Sequence, residues 1–387
     1  MDFDNLKDYV KISYELTQDG LLIGKGKLAE VSVVPHSEGK TNLQVNVPEN
    51  GKCYLKLIYH LKKEMPLLEE DYILGFDEIE VSQKDAKCQL AEKWVEKTVT
   101  DSELQVSEDD TQIHIKGREF AYTIDRRTAL FTEMKFAGRE YLNHPMELNI
   151  WRAPTDNDMY IKSEWKKAHY DKAYTRAYTT EVVQGKHGVK ITSHASVVAE
   201  TVQKILDVTI TWKIEAAGKI DADIAVTKDD EFPDLPRFGV RMFLDKKLSA
   251  ARYFGMGPQE SYCDKHQAAS HGLYQANVDD LHEDYIRPQE NGSHYDCEYV
   301  ELNNSRYGIV VSAENAFSFN ASYYTQEELE EKTHNYELTE SDSVVFCVDY
   351  ALNGIGSNSC GPVVLEQYRF DDVLFRFQFT LIPYIKG

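Results

Sequence analysis

A chain of 387 residues with 42% hydrophobic and 11% aromatic content is long enough to bury a sizeable core and to form two domains or more. Its 43 basic and 65 acidic residues give a net charge of −22, which repels nucleic-acid phosphates and anionic lipid surfaces and argues against both as partners. The start, Met1-Asp2-Phe3-Asp4-Asn5, carries neither a basic nor an apolar leader, and no apolar run approaches the roughly 20 residues of a membrane helix, so the chain reads as soluble and cytoplasmic.

In chain order, the first elements are strands. Val31-Ser32-Val33-Val34, Asn42 to Val47 and Cys53 to Tyr59 alternate apolar and polar residues and are punctuated by Pro35, Pro48 and Asn50-Gly51. Short strands at this spacing predict an immunoglobulin-like β-sandwich over residues 1–92. Within it, Gly24-Lys25-Gly26-Lys27-Leu28-Ala29 matches a dinucleotide fingerprint only loosely. A strand rather than a helix is expected after it, so no helix N-terminus could hold a pyrophosphate, and the glycines read as a hairpin turn. Residues 93–110 are dense in charge, with Trp94, Val95, Val99, Leu104 and Val106 at irregular intervals, as in a linker.

Alternation returns from Thr111, in Gln112 to Ile115, Gly188 to Ile191, Asp207 to Trp212 and Leu374 to Phe379. The all-β pattern over 111–387 calls for one very large double-sheet structure or two fused sandwiches. Helix is scarce. Thr325-Gln326-Glu327-Glu328 has the spacing at which hydroxyl and carboxylate cap each other's free N–H groups, and Ser163 to Ala168 is a second candidate.

Two polar, turn-rich segments, Asn149 to Asp158 and Gly354 to Pro362, are of the kind that present groups to a ligand from a β scaffold, and neither contains a catalytic pair. Asp156-Asn157-Asp158 begins like a calcium loop, but Tyr160 and Ile161 stand where a ligand and the sharp-turn glycine are required. Cys263-Asp264-Lys265-His266 lacks zinc-site spacing, and the six cysteines, scattered without a C-x-x-C pair, read as free thiols. No metal site is expected. Arg252 to Lys265 and Tyr285 to His294 mix aromatic rings with amide and carboxylate groups, as sugar recognition requires, although turn-rich structural loops have the same composition.

Five segments in order, Trp151 to Asp158, Leu235-Pro236-Arg237-Phe238-Gly239, Tyr253 to Tyr262, Arg287-Pro288-Gln289-Glu290-Asn291-Gly292 and Gly354 to Pro362, closely resemble the C-terminal part of bacterial β-galactosidases of glycoside hydrolase family 2. The likeness extends to Asn5 to Tyr9 and Tyr14 to Gly20, so it covers essentially the whole chain. It implies that the last two domains of a five-domain enzyme are present: an immunoglobulin-like sandwich and a galactose-mutarotase-like β-supersandwich. The family's two catalytic carboxylates lie in a TIM barrel, the acid/base within an Asn-Glu dipeptide that this chain lacks. Catalytic residues are therefore expected to be absent, and the magnesium and sodium sites are expected in the missing catalytic part.

The resemblance further implies a retaining enzyme that hydrolyses terminal β-D-galactosides such as lactose, oligomeric when whole, with this chain partnered by the catalytic barrel or a large subunit. Substrate-pocket residues carry over to Asp158, Met159 and Tyr160, and to Asn358, Ser359 and Cys360. Tyr160 replaces a glycine of the best-known relatives, and Cys360 takes the place of an aromatic platform, commonly Trp, for the leaving-group sugar. The competing expectation is a free-standing carbohydrate-binding or aldose-mutarotase-like protein.

Overall fold

The structure, a computed structural model, describes residues 4–95 and 104–386. It divides into two compact units, Met1–Leu90 with Ser270–Leu273, and Ala91–Ala269 with Tyr274–Gly387. The middle of the expected linker, 96–103, lies outside the described residues.

The first unit holds a four-stranded antiparallel sheet made of β1 (Val10–Gln18), β2 (Leu21–Lys27), β3 (Cys53–Leu61) and β4 (Ile73–Glu80), in the order β2-β1-β3-β4. Leu16 faces Leu55 across the β1–β3 ladder, and both are buried beside Cys53. Gly24 and Gly26 do not form the expected turn. They lie inside β2, where a Cβ on Gly26 would come within 2.7 Å of the Tyr14 ring across the ladder, so the missing side chain makes room for an aromatic neighbour. The β1–β2 turn is made instead by Asp19 and Gly20, at φ +47° and +76°.

Val31–Val34 and Asn42–Val47 are not strands either. Leu43, Val45 and Val47 are half-buried while Asn42, Gln44 and Asn46 are exposed, so the alternation correctly reports a one-sided environment but not a pairing partner. Val33 bonds instead to the N-terminal turn, its carbonyl accepting from Leu6 N and its N–H donating to Asn5 Oδ1.

The remaining strands form two sheets. Five strands, β5 (Gln105–Glu108), β6 (Gln112–Lys116), β7 (Phe120–Asp125), β8 (Leu130–Phe136) and β9 (Arg139–Glu140), pair in sequence order. The first of them falls inside the stretch read as linker. The larger sheet has twelve strands: β10 (Leu142–Asn149), β11 (Tyr174–Gln184), β12 (Gly188–Val198), β13 (Leu206–Glu215), β14 (Ile220–Lys228), β15 (Arg237–Asp245), β16 (Ala250–Gly257), β17 (Ser270–Asn277), β18 (Ser293–Asn303), β19 (Tyr307–Ser322), β20 (Ser343–Leu352) and β21 (Leu374–Ile385). Its main path runs β10-β15-β20-β19-β21-β14-β13-β12-β11, with β16 to β18 off that path. Of the two arrangements that the period allowed, the structure has the single large one, with one continuous core.

Trp212 of β13 shows how that core is held. Its ring is fully buried, meets Phe131 edge-on at 4.9 Å, and donates its indole N–H to Ala129 O at 2.9 Å. β15 and β20 are buried along nearly their whole length, so charged groups on them must find partners inside the protein. Both expected helices form, as Ile161–Lys167 and Gln326–Glu331. Thr325 caps the second by accepting from Glu328 N at 3.1 Å, but the Glu328 carboxylate turns away to accept from Thr339 N at 2.8 Å, so only half of the reciprocal cap exists. All six cysteines are free thiols.

Candidate functional site

The segment leaving β10 turns sharply because Asn149 Oδ1 accepts from Trp151 N at 3.1 Å. Trp151 packs edge-on against Trp165 of the 161–167 helix, and Arg152 lies over the Trp165 ring, its guanidinium carbon 5.3 Å from the ring centre. Arg152 is fully buried. Its guanidinium forks onto Asp158, with Nη2–Oδ1 at 2.7 Å and Nε–Oδ2 at 3.2 Å, while its remaining donors reach the carbonyls of Asn353 and Gly354. Burial opposes the guanidinium charge, but Asp158 and Glu290 outweigh it and hold Arg152 above its ordinary range.

One buried arginine thus anchors both turn-rich segments from beneath. Asn157 joins them above: its Nδ2 donates to Gly356 O at 2.7 Å, and its Oδ1 accepts from Ser359 Oγ at 2.7 Å and Ser359 N at 3.3 Å. Asp264 secures the second segment by accepting from Ile355 N at 2.9 Å and Gly356 N at 2.7 Å. Gly356 sits at φ +66°, a conformation that a residue with a Cβ adopts only under strain. On the other side, Gln289 Oε1 accepts from Asp156 N at 3.0 Å and Glu290 N donates to Ala153 O at 3.0 Å, which ties in the Arg287–Gly292 turn.

Asp158 departs from the sequence expectation. It is 2% exposed, and beyond Arg152 its Oδ2 accepts from Thr155 N at 2.9 Å and Thr155 Oγ1 at 3.1 Å. With both oxygens engaged under the loop, it braces the turn. Met159 and Tyr160 stand outward, 43% and 60% exposed, and Ser359 and Cys360 are also exposed. Asn358, beside them, is half-buried. The structure therefore brings five of the six expected positions into two hydrogen-bonded loops and puts the sixth beneath them.

Below lies a second buried ion cluster. Arg237 of β15 donates to Asp349 of β20 at 3.0 and 2.5 Å and to Glu290 at 3.2 Å, and all three side chains are at most 3% exposed. Burial pushes both acids above the ordinary carboxylate range, and Arg237 pulls in the opposite direction. Asp158, Glu290 and Asp349 are thus all paired with arginines and shut off from solvent. Sequence reading missed Asn157 and Asp264 as loop ties and Glu290 as a buried anion. The signal for Glu290 was its place in the Arg287–Gly292 motif, and Asp264 was set aside with the metal candidates.

Comparison with known proteins gives a consistent result. The family described as "Beta galactosidase small chain" matches residues 116–381, and "Beta-galactosidase, domain 4" matches residues 1–82. A β-galactosidase of Actinobacillus pleuropneumoniae is 42% identical over 99% of this chain, and one of Staphylococcus xylosus is 30% identical over 98%. The chain spans only 37% and 38% of the length of these relatives. A galactose 1-epimerase from Lactobacillus acidophilus NCFM overlaps 75% of this chain and all of its own at 8% identity, with a TM-score of 0.40, too slight a likeness to argue from. On the family match over residues 116–381, the chain belongs to the β-galactosidase small chain family.

Proposed function

We propose that this chain is the non-catalytic C-terminal portion of a β-galactosidase that hydrolyses terminal β-D-galactosides such as lactose with retention, either as a small subunit or as one end of a longer polypeptide. It supplies pocket walls and stability, while the two reacting carboxylates, which a retaining enzyme holds about 5 Å apart, lie on the partner portion with its cations. The observation that carries the reading is the coupled pair of loops. The ties at Asn157 and Arg152 hold Met159 and Tyr160 beside Ser359 and Cys360, so a barrel docked over this face would find a preformed wall.

Cys360 and Tyr160 also suggest how this wall differs from that of other family members. A thiol offers a sugar no stacking face, so leaving-group sugars gain less here than on an indole, and preference among aglycones follows. The test is a chimera in which this chain replaces the matching C-terminal region of the Actinobacillus enzyme. It should cleave nitrophenyl galactoside and lactose, and Cys360→Trp in the chimera should lower KM for acceptor sugars several-fold. A folded, correctly assembled chimera without activity would contradict the assignment.

A further inference from the structure

A cavity of about 310 Å³ opens between the β18 bulge, β19, the end of β20 and the loop before β21, next to the Gly354–Pro362 segment, whose Gly354 N donates to Tyr368 O at 2.8 Å. Four tyrosines, Tyr262, Tyr295, Tyr350 and Tyr368, line it. Buried tyrosines of this protein satisfy their hydroxyls internally: Tyr122, Tyr141 and Tyr170 each donate to a carbonyl at 2.7–2.8 Å. Tyr262 donates to Glu260 Oε2 at 3.4 Å, whereas the Tyr295, Tyr350 and Tyr368 hydroxyls have no hydrogen-bond partner among the described residues, although these three side chains are half-buried. Tyr350 is fixed by stacking on Phe375, with centroids 4.9 Å apart and planes 15° from parallel.

The backbone is bent to serve this wall. β18 loses register with β19 between His294 and Cys297, and Asp296 in that bulge adopts φ +54°. A bulge and a left-handed residue together re-aim side chains at a cost in strain, a feature found next to binding sites. Asp296 lines the cavity with Asp372 and Arg369, so acceptors and donors are both present, and Phe317 and Phe370 add apolar surface. An anion would face the two carboxylates and a cation would face the guanidinium. A neutral polyol can use both, and its C–H face can lie on the rings.

We infer that this cavity is a second saccharide site, beside the loop pair but lined by none of residues 158–160 or 358–360, which binds a neutral sugar through the Tyr295, Tyr350 and Tyr368 hydroxyls. Every residue of its lining belongs to this chain, so binding is expected of the chain by itself. Burial pushes the Tyr295 phenol up to about 12, so it stays a protonated donor at neutral pH.

The test is calorimetric and saturation-transfer NMR titration of the full chain with methyl β-D-galactopyranoside and with lactose. Saturable 1:1 binding of at least one is expected. It should weaken at least tenfold in the triple variant Tyr295→Phe, Tyr350→Phe, Tyr368→Phe, which removes only oxygen atoms, and should not change in Tyr178→Ala, which removes an exposed tyrosine of β11 that does not line the cavity. If the triple variant does not fold, Asp372→Ala at the rim should weaken binding in the same direction. Absence of saturable binding, an unchanged Kd in the folded cavity variants, or an equal loss in Tyr178→Ala would each overturn the inference. None of these results touches the proposed function, which the activity of the chimera tests separately.

Discussion

Arg152 and Asp158 are a buried pair whose value lies in what each leaves behind when the other is removed. Asp158→Ala strands a guanidinium that is 0% exposed, and such a loss costs roughly 3–5 kcal/mol. Denaturant unfolding at neutral pH should show this loss, whereas Asp156→Ala, at an exposed position two residues earlier, should cost under about 0.5 kcal/mol. The chemistry of the motif was legible in the sequence, since Trp151 to Asp158 stands out as a rigid polar turn. The direction in which Asp158 faces was not, because a carboxylate is written the same way whether its partner is a sugar or a buried arginine.

His294 gives a residue-scale prediction about pH. Burial holds its imidazole down at about 4, below the ordinary histidine value of 6.5, with the ring between Tyr253 and Phe319 and Nδ1 3.3 Å from Met256 O. The unfolded chain therefore takes up this proton first. The contribution to stability is complete above about pH 6.5, falls as the pH drops from 6.5 to 4, and is gone below that window. Between pH 7 and pH 5 the loss amounts to about 2 kcal/mol at roughly 1.4 kcal/mol per unit. His294→Phe should flatten that part of the stability profile, measured by denaturant titration at both pH values, and an unchanged slope would show that other groups set it.

At the scale of elements, the short helix Gln326–Glu331 depends on its cap. Thr325→Ala should cost about 1 kcal/mol. Glu328→Gln should cost less, because the Glu328 side chain serves Thr339 N rather than the helix end. Asn157 links two loops instead of building one. Asn157→Ala should leave the unfolding midpoint nearly unchanged while raising KM for galactosides in the chimera, and a midpoint drop with an unchanged KM would assign it a purely structural role.

Strands with a partner on each side were legible: Asp207–Trp212 and Leu374–Phe379 lie within β13 and β21. Val31–Val34 and Asn42–Val47 were misread because alternation encodes which side is buried, and that pattern persists in segments that join no strand ladder among the described residues. Gly26 was misread because a glycine that yields to a neighbouring ring looks in the sequence like a glycine that turns the chain.

At the scale of the whole molecule, the proposed function divides labour between this chain and a catalytic partner portion. The chain corresponds to 37% of the length of its Actinobacillus relative, and its most deeply buried acids in the loop region are committed to arginines. The large β domain and the loop pair could be read because their motifs are local and rich in turn residues. The cavity tyrosines could not, since Tyr295, Tyr350 and Tyr368 come together only through the fold of β18, β20 and the loop before β21. The most direct measurement is turnover of o-nitrophenyl β-D-galactoside by the purified chain alone at high protein concentration. No hydrolysis above the uncatalysed rate is the expected result. Hydrolysis that scales with chain concentration and survives further purification would show that the reacting carboxylates are in these residues after all.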